Sequence, residues 1–158
     1  MWRYNNMMKV ENTLNGNEGK GFVTIDGKTR ELFELVKIEA NIELIVSERK
    51  ICGNRMVQYK VTGAKGTGSI TMYFNNAELL KTVQTYLQKG KMPEISIQAY
   101  NEDPASSVGR QEMILRNVII NKLLAIKMDI DSEDALTQES DFTFNRMDGL
   151  EYFKTVEN

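Results

Sequence analysis

The sequence has 158 residues, no histidine, one cysteine and a formal charge of −2 from 20 basic and 22 acidic side chains. That length fits one domain with its own core, and 41% hydrophobic with 27% charged residues is ordinary for a soluble globular protein. Without histidine, Ser-His-Asp and Cys-His catalysis and histidine-ligated zinc are excluded.

The lone Cys52 cannot close an intramolecular disulfide, and a reducing cytoplasm is the simplest site of synthesis. With no histidine to activate it, Cys52 is expected to be a small semi-buried residue. No apolar run approaches the ~20 residues that span a bilayer. The first eight residues are polar where a signal peptide is apolar, so no export signal is expected.

In chain order, Phe22 to Asp26 reads as a short strand ending in Asp26-Gly27, a strong hairpin signal. From Lys37 to Val46, apolar Ile38, Ala40, Ile42, Leu44 and Val46 alternate with Lys37, Glu39, Asn41, Glu43 and Ile45. A period of two with one apolar face predicts a long half-buried strand. Ser47 to Arg55 breaks the pattern and carries three basic residues. Met56 to Thr62 returns to strand character, and Gly63 to Gly68 reads as a glycine turn before the strand Ser69 to Phe74.

One helix is predicted. Asn75 or Asn76 can cap it, Leu79, Leu80, Val83, Tyr86 and Leu87 recur at helical spacing, and Gly90 with Pro93 ends it. Its apolar face should cover one side of a sheet. Beyond it come a strand Ile95 to Tyr100, a loop with Pro104 and Gly109, a β-rich stretch Glu112 to Asp129, and a strand Ser140 to Phe144. Seven or eight strands and one helix predict a mainly β protein: an antiparallel β-sandwich or open barrel flanked by a helix, in a single domain over residues 1–158.

Sequence chemistry offers little. Gly63-Ala-Lys-Gly-Thr-Gly68 has its lysine at the wrong place for a phosphate loop and leads into a strand. Gly16, Gly19 and Gly21 precede a strand, with no helix N-terminus to hold an anion. Asp129 to Asp134 has the wrong residues at the sixth and twelfth positions of a calcium loop. Paired carboxylates for a hydrolase stay open, as does a small β-barrel ligand-binding module. No cofactor and no metal are expected.

The charge is uneven. Residues 1–128 carry 18 Lys/Arg against 13 Asp/Glu, and residues 129–158 carry 2 against 9. This is not the concentrated basic face of a nucleic-acid binder. It suits a molecule that meets copies of itself through oppositely charged ends.

Three blocks carry a family resemblance: Glu11-Asn-Thr-Leu-Asn-Gly-Asn-Glu-Gly19, the most specific block Tyr59-Lys-Val-Thr-Gly-Ala-Lys-Gly-Thr-Gly-Ser-Ile-Thr-Met-Tyr73, and Asp129-Ile-Asp-Ser followed by Ser140-Asp-Phe-Thr-Phe144. In that order and spacing the chain resembles tail tube proteins of the defective phage PBSX type, with residues 1–7 an extension outside the likeness. The family usually has another acidic residue or two before its Phe-Thr-Phe, which Ser140 dilutes here. The resemblance implies two packed β-sheets plus a helix, and hexameric rings stacked into a hollow tube inside a contractile sheath. It further implies partners in the sheath protein, a baseplate or tube initiator and a tail terminator. Phage tubes pass DNA without reading its sequence; bacteriocin-like tubes pass ions.

On that reading Glu39, Asn41 and Glu43 are expected to face the lumen. Ser47 to Arg55, with the Tyr59–Gly68 region, should reach a neighbouring subunit or ring. Arg49, Lys50, Arg55, Lys60 and Lys65 are expected to meet an acidic set, Asp129, Asp131, Glu133, Asp134, Glu139 and Asp141, between rings.

Overall fold

The computed structural model describes residues 9–155, so the N-terminal extension 1–7 lies outside the described residues. Among these, nine strands and one α-helix form two antiparallel sheets. The chain divides into two compact units, each assembled from separated stretches of sequence.

The first unit, residues 1–33, 93–117 and 147–158, holds a five-stranded sheet. Its strands are β1 (Gly19–Ile25), β2 (Lys28–Glu31), β5 (Ile95–Glu102), β6 (Arg110–Arg116) and β9 (Arg146–Glu151), in the order β2-β1-β5-β6-β9. Asp26 and Gly27 both take positive φ, 49° and 82°, which the two-residue hairpin between β1 and β2 requires. Val23, Ile97 and Leu115 lie opposite one another in register and are buried, as is Ile95 opposite Ile25. The first resemblance block is tied to this sheet through the 103–108 loop. Asn12 Oδ1 accepts from the backbone and hydroxyl of Ser107, and Asn15 N–H donates to buried Asp103.

The second unit, residues 34–92 and 118–146, holds a four-stranded sheet in the order β3-β4-β8-β7. Its strands are β3 (Leu35–Arg49), β4 (Gln58–Tyr73), β7 (Ile119–Ile120) and β8 (Thr137–Phe144). Its helix α1 (Glu78–Lys89) starts where Asn76 Oδ1 accepts the Glu78 N–H at 2.8 Å and ends on left-handed Gly90, whose N–H bonds Tyr86 O. Leu79 and Thr82 are buried, while Tyr86 and Leu87 at the far end are exposed, so only the first turns of the expected apolar face are covered.

Several expectations need correction. Gly63 to Gly68 is not a turn but the middle of β4, and the reversal lies at residues 50–57 instead. The reason is in β8. A Cβ on Gly66 would fall within 2.4 Å of the Phe144 ring, and one on Gly68 within 2.5 Å of the Phe142 ring and 2.3 Å of Glu39 O. These glycines are bare strand positions on which two buried aromatic rings lie. Ser47 to Arg49 continue β3 where a break was expected. Cys52 is exposed, not semi-buried.

The β-rich stretch expected to Asp129 ends at Ile120. Beyond it, side chains of β8 capture the amides that a ladder would use: Lys122 N–H donates to Ser140 Oγ at 2.9 Å and Leu124 N–H to Gln138 Oε1 at 3.2 Å.

Gly68→Ala is expected to lower the unfolding free energy by about 1–3 kcal/mol, because a backbone carbonyl cannot yield to the new methyl. Gly63→Ala meets only Ile45 Cδ1 at 3.7 Å and is expected to be neutral or slightly stabilising. Urea unfolding of the two variants against the parent distinguishes them.

Candidate assembly interface

Strands β3 and β4 are 15 and 16 residues long, whereas β8 has eight and pairs only with Gly66 to Tyr73 of β4. β3 is an edge strand paired with β4 alone, and β4 loses its second partner beyond Gly66, so Glu43–Arg49 and Gln58–Lys65 leave the sheet as a two-stranded ribbon. Side chains directly opposite share a face, so the pairing assigns the ribbon's two sides.

One side continues the apolar face of the sheet. Ile38 lies beside Ile70 and Ser140, Ala40 beside Gly68, Phe142 and Ile120, Ile42 beside Gly66 and Phe144, and Leu44 beside Ala64. Between Ile45 and Val46 the register shifts, because Gly63 opposes Ile45 but Val61 opposes Val46, which leaves Thr62 as an extra residue. Its Oγ1 donates to Ile45 O at 3.2 Å and holds this bulge. Without it Val61 and Tyr59 would face the polar side. With it they extend the stripe of Ile42, Leu44 and Val46.

Ile42, Leu44 and Val46 were expected to be half-buried, which the structure corrects, while Tyr59 and Val61 belong to the region expected to reach a neighbour. All five are 44–66% exposed: among the described residues no third strand pairs beside Leu44, Val46, Tyr59 and Val61, and Ile42 stands in the last row that β8 supports. Ile51 and Met56 at the tip are exposed as well. Alternation alone read the Ile42, Leu44 and Val46 part of the stripe as a half-buried face. The usable signal was length, since two strands twice as long as their next neighbour must overhang it.

The opposite side of the sheet is polar. Lys37, Thr71 and Glu139 share one row, Glu39, Ser69 and Asp141 the next, Asn41, Thr67 and Thr143 the third, then Glu43 with Lys65. The lumen candidates Glu39, Asn41 and Glu43 are thus brought onto one exposed face. In these four rows two lysines stand against four carboxylates, and towards the ribbon tip the same side adds Lys60 and Arg49. Glu39, Asn41, Ser69, Asn121 and Asp141 line a shallow open trough of about 500 Å³.

The basic set divides. Arg49, Lys50 and Arg55 surround the ribbon tip, and Lys60 lies just behind them opposite Ser47. Lys65 sits apart and pairs with Glu43 at 3.4 Å. The acidic set divides too. Asp129, Asp131, Glu133 and Asp134 lie in the exposed irregular segment before β8, whereas Glu139 and Asp141 are on the polar sheet face.

The model of the family described as phage tail tube protein matches residues 6–151. The chain belongs to the phage tail tube protein family. It is 36% identical over 149 residues to an uncharacterized protein, YqbM, of Bacillus subtilis (strain 168), covering 94% of this chain and 98% of that protein. It is also 36% identical over 141 residues to the phage-like element PBSX protein XkdM of the same organism, covering 89% and 92%. Among solved structures, a chain of the sheath/tube terminator of an extracellular contractile injection system, PVC, superposes with a TM-score of 0.66 at 12% identity, over 90% of this chain and all of that one. A chain of the PVC sheath-tube complex in its extended state gives 0.63 at 15% identity, over 89% and 95%. The tail tube reading and the mainly β fold with one helix therefore stand.

The apolar ribbon face is open on this subunit, so its role in folding and any role in self-association can be separated by substitution. Leu44→Ser with Val46→Ser is expected to cost the isolated subunit only about 1 kcal/mol per site, because about half of each side chain is already exposed, and to leave it folded. The pair should abolish self-association at concentrations where the parent assembles. Thermal unfolding and sedimentation velocity check both halves.

Proposed function

We propose that this subunit closes into hexameric rings that stack into the hollow inner tube of a contractile tail or tail-like particle. The observation that carries this reading is the overhanging ribbon, whose apolar face the chain leaves uncovered. A chain of the six-fold-symmetrised baseplate of the anti-feeding prophage shares the fold with a TM-score of 0.61, and one from that particle's tube-terminating cap with 0.65. These likenesses support the ring symmetry. They also favour a tube initiator at the baseplate, a terminator at the far end and a surrounding sheath as partners.

The four-stranded sheet has two free edges, β3 and β7, through which copies can pair around a ring. Its polar side then forms the wall of the channel. Over the rows from Lys37 to Glu43 carboxylates outnumber lysines on that side, so a polyanion slides past this stretch without being held, whereas a basic wall would bind DNA phosphates. In a phage the cargo is DNA, passed without sequence-specific contacts; in a bacteriocin-like particle it is ions. The role is structural, with no catalytic step, and it is performed by a protein made in the bacterial cytoplasm.

Glu39→Lys with Glu43→Lys tests the channel assignment. Both positions are exposed on a solvated strand face, and the Glu43–Lys65 pair is of the exposed kind that contributes ~0–1 kcal/mol. The doubly substituted subunit is expected to fold and form tubes that retain DNA or slow its passage. Cryo-electron microscopy of the parent tubes should show a six-membered ring with these side chains inside. Tubes with them on the outer wall contradict the assignment.

A further inference from the structure

The ribbon tip and the acidic segment lie at opposite ends of one strand. β4 begins at Gln58, next to the tip, and ends at Tyr73. There Phe74 N–H donates to Leu136 O, and Tyr73 pairs with Thr137 at the start of β8. The Lys127 ammonium bonds Thr137 O at 3.0 Å, which fixes the segment at that end. A 16-residue strand at about 3.3 Å per residue separates the two regions by about 50 Å. They cannot meet within one copy.

Their chemistry is complementary. Ile126, Met128 and Ile130 alternate with Lys127, Asp129 and Asp131 and are 81–94% exposed. Glu133 and Asp134 follow. Beside them, Leu79, Leu80, Leu123 and Leu124 line an apolar cleft of about 220 Å³ rimmed by Asn75, Asn76 and Gln138. The tip offers the converse: exposed Ile51 and Met56 among Arg49, Lys50 and Arg55. Lys127 is turned onto its own backbone contact, so the segment's outward charge is carboxylate.

We infer that the Ile126–Asp134 segment and the adjoining cleft are the seat for the ribbon tip of a second copy. Ile51 and Met56 enter apolar surroundings there, while the tip's guanidinium and ammonium groups face Asp129, Asp131, Glu133 and Asp134. The two surfaces differ, so the contact is heterologous and repeats from copy to copy along an axis without closing. Charge sets the direction and speed of docking, and the apolar contact retains it. This rests on the stacked-tube reading above but names the surface that receives the ribbon.

Cys52, the chain's sole cysteine, sits exposed at the tip and serves as a reporter. Met128→Cys and Ser132→Cys each place one thiol in the seat, and Gln84→Cys places one on α1 as a control. Tubes of each variant are treated with a short bismaleimide and resolved on denaturing gels. Either seat variant is expected to give a ladder of multimers at least ten-fold above the control. Tubes from both seat variants with no ladder above the control overturn the seat and leave the tube reading standing. Wild-type protein that stays monomeric at every concentration, with sheath and initiator present, contradicts that reading and the seat with it. As a second measure, reversing Arg49, Lys50 and Arg55 to glutamate should slow tube growth at least ten-fold. Reversing Asp131, Glu133 and Asp134 to lysine in the same chain should restore part of the rate. Growth indifferent to both reversals and to salt overturns the charge pairing.

Discussion

A two-stranded ribbon with one apolar face is a poor end state in water, and the assembly proposed for this protein rests on that constraint. An isolated hairpin is marginally stable because nothing backs its apolar side. Here two strands run nearly twice as far as the strand that supports them. The bulge at Thr62 then keeps Tyr59 and Val61 on the same side as Ile42, Leu44 and Val46. A subunit that needed only to fold would gain nothing from that alignment. A subunit that must be covered by its neighbours needs it.

Magnitudes decide which interaction holds such a contact. Fully burying an aliphatic or aromatic side chain of this size contributes about 1.5–3 kcal/mol. With roughly half of each surface still exposed, about 1 kcal/mol per residue remains to be gained on assembly. Five such residues outweigh any exposed ion pair at ~0–1 kcal/mol, and those pairs weaken as salt shortens the Debye length below ~8 Å. Apolar cover therefore sets the affinity. In the proposed stacking, the separation of basic tip from acidic segment along β4 sets the polarity of growth.

Much of this was legible in the sequence. Asp26-Gly27 has few readings other than a tight hairpin, and Gly90 before Pro93 few other than a helix end; both are local, and both hold. The alternation from Lys37 to Val46 identified a strand and its faces, but period alone cannot tell what covers the apolar one. Gly63 to Gly68 misled for a related reason. Glycine marks a turn when judged locally, and only the cross-strand approach of Phe142 and Phe144 shows that it is making room for rings. The stretch beyond Ile120 alternates like a strand, yet Ser140 and Gln138 take its amides with their side chains, a contact no local pattern announces. Of the site, the polar row Glu39, Asn41 and Glu43 and the two charge clusters were visible in advance. The apolar stripe was visible too, but Ile42, Leu44 and Val46 were read as covered within the chain and are exposed, because a period of two does not say what lies against the face it marks.

Amide hydrogen exchange, compared between free subunit and assembled tube, measures that cover directly. The amides of Ile42 to Arg49 and Gln58 to Lys65 should exchange rapidly in the free subunit, where a lone hairpin opens readily. In the tube they should be protected by two orders of magnitude or more, while those of β8 around buried Phe142 change little. Equal exchange of the ribbon in the two states would mean that neighbouring copies do not cover it, and would contradict the assembly role assigned to its apolar face.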